Sequence, residues 1–174
     1  MARITLLEDA PADAAALAER IRNERRGTLL KLYKALLNSP AIAQSWFEHL
    51  NAVRWKTGLS GRLRELVIIR IAYIHSVAYV LRQHIPKLAE ADGVSVPECD
   101  ALQDWAKSGF FSEAERSALA YADSATTVVK VPDHVFEPLR LHFNEREIVE
   151  LTVLIATYNM HIRVVEALKI EPEI

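Results

Sequence analysis

The stretch that decides the fold is residues 59–94, and its central part reads Glu65-Leu66-Val67-Ile68-Ile69-Arg70-Ile71-Ala72-Tyr73-Ile74-His75-Ser76-Val77-Ala78-Tyr79-Val80-Leu81-Arg82-Gln83-His84. Apolar residues recur at spacings of three and four, and other apolar residues fill the gaps, so little polar face remains. This pattern is typical of a helix in the middle of a bundle. An unbroken helix, at ~1.5 Å per residue, would hold Glu65 and His84 roughly 28 Å apart. A break near His75-Ser76, with Ser76 capping a second helix, would fold one half onto the other and bring the two side chains together. The sequence allows this break without requiring it, because neither Gly nor Pro occurs there.

The rest of the chain predicts an all-α protein. It has 174 residues, about half of them hydrophobic and only five of them Gly, and alternating strand patterns are scarce. Two capping boxes, Ser112 with Glu115 and Asn144 with Glu147, indicate the starts of two helices. We predict a single domain over residues 1–174, with a core motif at 59–94, built as a bundle of about seven to eight helices.

Charge and cysteine content narrow the classes of function. A formal net charge of -2 gives no basic surface for nucleic acid, so we expect no nucleic-acid partner. The apolar run is interrupted by Arg70 and His75 and is shorter than a membrane span needs, so we read it as a buried core element and expect no membrane partner. The N-terminus lacks the pattern of a signal peptide, and the single cysteine, Cys99, fits a reducing compartment. We therefore predict a cytoplasmic protein.

The quoted stretch resembles a known family. The order Leu-Ser-x-Arg-Leu-Arg-Glu-Leu-x-Ile-x-Arg, followed by Tyr79 and His84, is similar to the carboxymuconolactone decarboxylase family and its alkylhydroperoxidase relatives of the AhpD type. The peroxidase signature is Glu, eleven residues, Cys, two residues, Cys, three residues, His. Laid on this chain, it matches Glu65 and His84, but Val77 and Val80 replace both cysteines. The resemblance therefore implies an AhpD-like helical fold and a homo-oligomer (dimer, trimer or hexamer) without dithiol peroxidase chemistry.

Glu65 and His84 are the first candidates for catalysis. A carboxylate beside an apolar environment and a nearby histidine can exchange protons near neutral pH. The alternative is that Glu65 only pairs with a neighbouring arginine and that His84 is a core histidine. Tyr79 and His75 are further catalytic candidates, although Tyr79 could equally be a packing residue and His75 could face solvent.

Substrate binding and metal binding have weaker signals. Arg70 and Arg82 flank the apolar run, and arginine binds carboxylates well, so we predict that these two bind the substrate. The six histidines are scattered without ligand spacing, so we predict neither a metal site nor a cofactor.

Two functions remain open from the sequence. The first is a cofactor-free acid-base enzyme that resembles carboxymuconolactone decarboxylase and acts on a small carboxylated or lactone-type molecule. The second is a catalytically silent structural or binding member of the AhpD-like family.

Overall fold

The chain is helical throughout its described part, as the sequence predicts. The computed structural model describes residues 1–25, 27–85, 87–128 and 130–173, so Pro86 of the core motif lies outside it. No strand occurs in these ranges. The α-helices are α1 (Ala15–Glu24), α2 (Lys31–Leu36), α3 (Pro40–Trp55), α4 (Gly61–Ile74), α5 (Ala78–His84), α6 (Lys87–Ala91), α7 (Val96–Ala101), α8 (Glu113–Thr127), α9 (Asp133–Phe136) and α10 (Glu145–Leu168). Short 3₁₀ helices occupy Ala12–Ala14, Leu102–Lys107 and Glu137–Leu141. The all-α prediction is confirmed, and several of the helices are only one or two turns long.

Local signals set the helix starts. Pro40 occupies the first turn of α3, where its missing N–H costs nothing. Ser60 caps α4 by accepting a hydrogen bond from the Leu63 N–H at 3.1 Å. The capping boxes predicted at Ser112 and Asn144 are both present and open α8 and α10. These bonds satisfy backbone donors that each helix would otherwise leave without a partner.

Helix α4 is the centre of the bundle. It packs against α5, α8 and α10, and five of its large apolar side chains have no solvent exposure. These are Leu66, Val67, Ile68, Ile69 and Ile71. Burying a side chain of this kind stabilises a fold by about 1.5–3 kcal/mol. A helix this enclosed gives its polar residues fixed positions.

The break predicted near His75-Ser76 is present. Helix α4 ends at Ile74, and Ser76 adopts the left-handed region with φ of 56°. The Val77 N–H bonds to the Ala72 carbonyl at 2.9 Å, and the Ser76 N–H bonds to the Tyr73 carbonyl at 3.1 Å. This pair of bonds is a Schellman motif, a common way to end a helix. Ser76 therefore ends α4 and does not cap α5, because Val77 holds the capping position.

Helix α10 is long and apolar enough to cross a membrane by length and composition. Its mean hydropathy over the tested window is 1.3, and 56% of that window is buried inside the protein. Leu151, Leu154 and Val165 are among its core residues. The core helix of a globular protein passes the same test, so the apolar composition of α10 is explained by its packing.

Candidate functional site

The break between α4 and α5 brings Glu65 and His84 into direct contact. Glu65 lies in the second turn of α4, and His84 is the last residue of α5. A hydrogen bond joins the His84 Nδ1 and the Glu65 Oε2, and the two side chains are 5% and 0% exposed. Residues that an unbroken helix would have kept far apart therefore form a buried acid-base pair.

Two arginines approach the same carboxylate. The Arg54 Nη2 lies 3.4 Å from the Glu65 Oε1, and the Arg64 Nε lies 3.7 Å from the same oxygen. Burial by itself raises the pKa of Glu65, but the hydrogen bond from His84 and the charges of His84, Arg54 and Arg64 together lower it. Glu65 is therefore ionised at neutral pH.

The two arginines differ in the acceptors that they contact. Arg64 donates to the Arg54 carbonyl at 2.9 Å and to the Asp92 carboxylate at 2.6 Å. Arg54 donates to the Tyr158 hydroxyl at 3.0 Å, and its only other acceptor in the described chain is Glu65 at 3.4 Å. The Nε of each arginine is buried without a hydrogen-bond partner among those residues. Arg64 is thus held by two short bonds, whereas Arg54 has a long contact with the carboxylate and lines the cavity described next.

A cavity of about 250 Å³ lies against His84. Its charged or ionisable lining residues include Arg54 and His84, whose side chains are 11% and 5% exposed, and also Arg25 and the more exposed Glu24. Glu65 does not line the cavity and reaches it only through His84. The remaining lining residues are apolar or aromatic, apart from Gln83 and His161: Leu30, Leu32, Tyr33, Leu50, Trp55, Tyr79, Val80, Gln83, Leu88, Tyr158 and His161. The cavity is large enough for a small ring compound.

Packed rings form one wall of this cavity. The rings of His84 and Tyr158 are nearly perpendicular with centroids 5.7 Å apart, and Tyr158 stacks on His161 at 5.7 Å. Burial lowers the pKa of His161 to about 3, and the nearby charges of His84 and Arg54 act in the same direction. His161 is therefore a neutral imidazole, with one donor and one acceptor nitrogen.

Of the two further catalytic candidates, the structure places only Tyr79 at the cavity. Tyr79 is 4% exposed and lines the cavity together with His84. Burial raises the pKa of Tyr79, and the Glu173 carboxylate adds to this effect, so its hydroxyl stays protonated. His75 lies at the end of α4, and its Nε2 contacts the Asn159 Oδ1 at 2.9 Å. His75 is not among the residues that line the cavity.

The two arginines predicted to bind substrate lie outside the cavity. Arg70 pairs with both oxygens of Asp123 at 2.6 and 2.9 Å, and it also donates to the carbonyls of Leu102 and Gln103. Arg82 is exposed on α5. Both residues flank the apolar run in sequence, but the break turns α5 so that His84 faces the cavity and Arg82 faces solvent. The arginines that line the cavity in the described part of the chain are Arg25 and Arg54 instead.

Sequence reasoning missed Arg54 and His161 as site residues. Arg54 lies at the end of α3, which showed only an ordinary apolar stripe, and His161 looked like one of several scattered histidines. Nothing in the sequence indicated that Tyr158 contacts His84. Only the packing of α3 and α10 against α4 brings these side chains together.

In the described part of the chain, neither a cysteine nor a group of metal-ligand side chains lies at this cavity. Val77 and Val80 occupy the two cysteine positions of the peroxidase signature, and Val80 lines the cavity. Cys99 is fully buried in a separate cluster with Leu66 and Leu102, and burial raises the pKa of its thiol to about 11. Among residues 1–25, 27–85, 87–128 and 130–173, no three His, Cys, Asp or Glu side chains form a group that could hold a metal ion.

Comparison with known proteins agrees with this architecture. Residues 40–124 match the carboxymuconolactone decarboxylase family. The chain is 35% identical over 118 residues to the uncharacterized protein YnjA of Escherichia coli, covering 67% of this chain and 64% of YnjA. It is 26% identical over 106 residues to the uncharacterized protein YdfG of Bacillus subtilis, covering 60% of this chain and 71% of YdfG. The chain thus spans a little under two thirds of the length of YnjA.

Solved structures show the same fold. A protein of unknown function from Agrobacterium tumefaciens, named in connection with the antioxidant defence protein AhpD, superposes with a TM-score of 0.75 at 28% identity, over 80% of this chain and 96% of that one. A cysteine-to-alanine variant of the debrominase Bmp8, in complex with 2,3,4-tribromopyrrole, superposes with a TM-score of 0.81 at 20% identity. The superposition covers 99% of this chain and 94% of the Bmp8 chain. The chain therefore has an AhpD-like fold, its residues 40–124 are similar to the carboxymuconolactone decarboxylase family, and it lacks the Cys-x-x-Cys pair of the peroxidases.

Proposed function

We propose that this protein is a cofactor-free acid-base enzyme that resembles carboxymuconolactone decarboxylase and moves protons on a small carboxylated or lactone-type molecule. The observation that supports this proposal most is the hydrogen bond between Glu65 and His84 beside a cavity of about 250 Å³. A proton-transfer pair next to a space of ligand size is the usual equipment of general acid-base catalysis.

The two residues have different roles in this proposal. His84 lines the cavity and exchanges the proton with the ligand. Glu65 is ionised, lies behind His84 and contacts its Nδ1. The carboxylate orients the imidazole and stabilises the imidazolium that forms when His84 accepts a proton. Glu65 is thus a positioning residue, and His84 is the group that meets the ligand.

The charges at the cavity favour a ligand with anionic oxygen. Arg25 and Arg54 line the cavity. Among the described residues, the one carboxylate that lines it is Glu24, which is 42% exposed and pairs with Arg20 at 3.0 Å. A carboxylate on the ligand would gain a charge-assisted hydrogen bond from Arg54. In a decarboxylation, the carbon–carbon bond breaks, its electron pair stays on the ligand as an enolate, carbon dioxide leaves, and His84, which enters this step as an imidazolium, donates its proton to carbon.

Thiol-based peroxide reduction is not part of the proposal. That reaction needs a thiolate nucleophile and a resolving thiol. Valine stands at both cysteine positions, and the buried Cys99 has a pKa of about 11 and does not line the cavity.

The alternative is a catalytically silent member that binds a ligand or only keeps the fold. The observation in its favour is that Glu65 is completely buried and held by three cationic or protonatable groups, as a structural ion network would be. Such networks also perturb pKa values without any catalytic role.

Deuterium exchange separates these two functions and does not require the natural substrate to be identified first. Small carboxylated lactones and related keto acids are first screened for thermal stabilisation of the protein. Those that bind are incubated with it in D₂O, and loss of carbon-bound protons or of carbon dioxide is followed by proton NMR. We expect exchange or decarboxylation that Glu65→Gln and His84→Ala both reduce by at least a hundredfold, while the exposed control Arg82→Gln keeps the wild-type rate. Binding without exchange in the wild type would favour the silent member.

The proposed enzyme is also expected to have a particular oligomeric state and cellular location. We expect a homo-oligomer, because α10 presents the apolar side chains Val149, Val153 and Met160 on one exposed side. We also expect a cytoplasmic location, which the single buried thiol of Cys99 fits.

A further inference from the structure

We propose that Tyr158 is a second catalytic residue of the cavity, whose hydroxyl, held by Arg54, donates a hydrogen bond to the ligand oxygen on which negative charge collects. The inference rests on the proposed function and deepens it by naming the substrate class. That class is small carbonyl compounds in which the carbon beside the carbonyl group carries an acidic hydrogen or a carboxylate.

Tyr158 and His84 face the same ligand space. Tyr158 comes from α10 and His84 from α5, and the side chains of both line the cavity. Their rings meet nearly at right angles, with centroids 5.7 Å apart. A small ligand that contacts His84 at a carbon atom therefore has its neighbouring carbonyl oxygen within reach of Tyr158.

The hydroxyl of Tyr158 has an unused donor. Its oxygen accepts a hydrogen bond from the Arg54 Nη1 at 3.0 Å, so that bond uses an acceptor site and leaves the O–H free to donate. No residue of the described ranges accepts this hydrogen. A buried O–H without an acceptor is unfavourable, and a ligand oxygen in the cavity would satisfy it.

Arg54 keeps the hydroxyl in place and strengthens it as a donor. Its contact with the Glu65 carboxylate is long, at 3.4 Å, so its charge is not neutralised by a close pair as that of Arg64 is by Asp92 at 2.6 Å. Burial raises the pKa of Tyr158 although Arg54 opposes this, so the hydroxyl keeps its proton at neutral pH. A protonated phenol polarised by a guanidinium is a strong donor to a developing oxyanion.

The reaction step balances without another reagent. His84 removes a proton from the carbon next to the carbonyl, the electron pair of that C–H bond forms a carbon–carbon double bond, and the carbonyl π pair moves to oxygen. Tyr158 donates its hydrogen bond to that oxygen, and the proton returns to carbon from His84. In a decarboxylation, the bond between carbon and the carboxylate breaks in place of the C–H bond, carbon dioxide leaves, and His84 starts as an imidazolium and donates its proton to the carbon.

The test uses 4-nitrophenol, which resembles an enolate when ionised and whose two forms absorb at different wavelengths. Its ionisation is titrated free and bound to wild type, to Tyr158→Phe and to the control Tyr121→Phe. Tyr121 bonds to the Thr152 hydroxyl at 2.9 Å and does not line the cavity. We expect the wild type to bind the phenolate at least tenfold more tightly than the phenol, Tyr158→Phe to lower this preference at least fivefold, and Tyr121→Phe to keep it.

Three results would overturn the inference: a bound probe that ionises like the free one, a preference that survives in Tyr158→Phe, or no binding to the wild type. Arg54→Gln is a second variant in which the preference must also fall. Because 4-nitrophenol has no acidic carbon-bound proton, its binding does not depend on proton transfer between carbon and His84. Phenolate preference without deuterium exchange would therefore refute the acid-base enzyme but not the role of Tyr158 as oxyanion donor. Exchange without phenolate preference would refute the role of Tyr158 but not the acid-base enzyme.

Discussion

Replacing Glu65 by glutamine removes one negative charge from the most enclosed polar site of the protein. The new side chain has nearly the same shape, so packing against Leu66 and its neighbours is kept. What is lost is the charge that faces His84, Arg54 and Arg64. The Glu65 side chain is 0% exposed, so water cannot replace the missing carboxylate.

The expected loss of stability follows from these contacts. Removing one partner of a buried ion pair typically costs about 3–5 kcal/mol, because the other charge is left buried without compensation. His84 can release its proton and become neutral, and Arg64 keeps its bond to Asp92, so mainly Arg54 stays uncompensated. We therefore expect a value near the lower end of that range, about 3 kcal/mol at pH 7.

The loss of stability in Glu65→Gln should depend on pH, and the pKa of Glu65 sets the direction. The folded state lowers the pKa of Glu65 below its ordinary value of 4.5. A carboxyl with a depressed pKa contributes stability that is present above its unfolded pKa and is lost as pH falls through its folded pKa. Below that point the wild type also carries a neutral side chain at this position. The difference between wild type and Glu65→Gln must therefore shrink as the pH falls below 4.5.

Urea denaturation followed by circular dichroism at pH 7 and at decreasing pH measures the difference directly. Glu166→Gln is the matched control, because Glu166 lies exposed on α10, and it should change the free energy of unfolding by less than about 0.5 kcal/mol. The reasoning is refuted if Glu65→Gln is as stable as the wild type at pH 7, or if its deficit stays constant through the acidic range.

Four further predictions test other parts of the structure. Ser76→Gly should stabilise the protein by about 0.5–1 kcal/mol, because Ser76 has a φ of 56° that glycine adopts without strain, and thermal melting would show it; an unchanged or lower melting temperature would contradict the left-handed turn. Arg70→Gln should destabilise the fold by about 2–3 kcal/mol through loss of its bonds to Asp123, yet leave ligand affinity within twofold in calorimetry. Arg82→Gln should change neither stability nor ligand affinity. A large loss of affinity in either arginine variant would show that the substituted arginine does bind the ligand. Cys99 should resist alkylation at pH 8 until urea unfolds the protein, because burial raises its pKa to about 11, and rapid labelling of the native protein would refute this.

Much of the fold could be predicted from the sequence because the signals are local. The apolar spacing of α4, the capping boxes of α8 and α10, and the break after His75 each depend on a few neighbouring residues. Even so, the prediction that Ser76 caps α5 was wrong. Serine often caps the start of a helix, but Ser76 forms the left-handed turn that ends α4, and Val77 holds the capping position of α5.

The site was harder to predict because it is assembled from distant segments. Glu65 and His84 could be paired from the sequence once a break was allowed. Arg54 and Tyr158 come from α3 and α10, and they meet at the cavity only through tertiary packing. The predicted ligand-binding role of Arg70 came from its place beside the apolar run, and the fold gives this residue Asp123 as a partner away from the cavity.

The central claim is that Glu65 and His84 share a proton at the cavity and use it for chemistry. Proton NMR of the ligand-free protein tests it most directly, because an imidazole proton bonded to a buried carboxylate resonates far downfield of the amide region. We predict one such signal that is lost in both Glu65→Gln and His84→Ala and that shifts when a ligand of the deuterium-exchange screen binds. A spectrum without this signal, or a signal that persists in both variants, would contradict the claim.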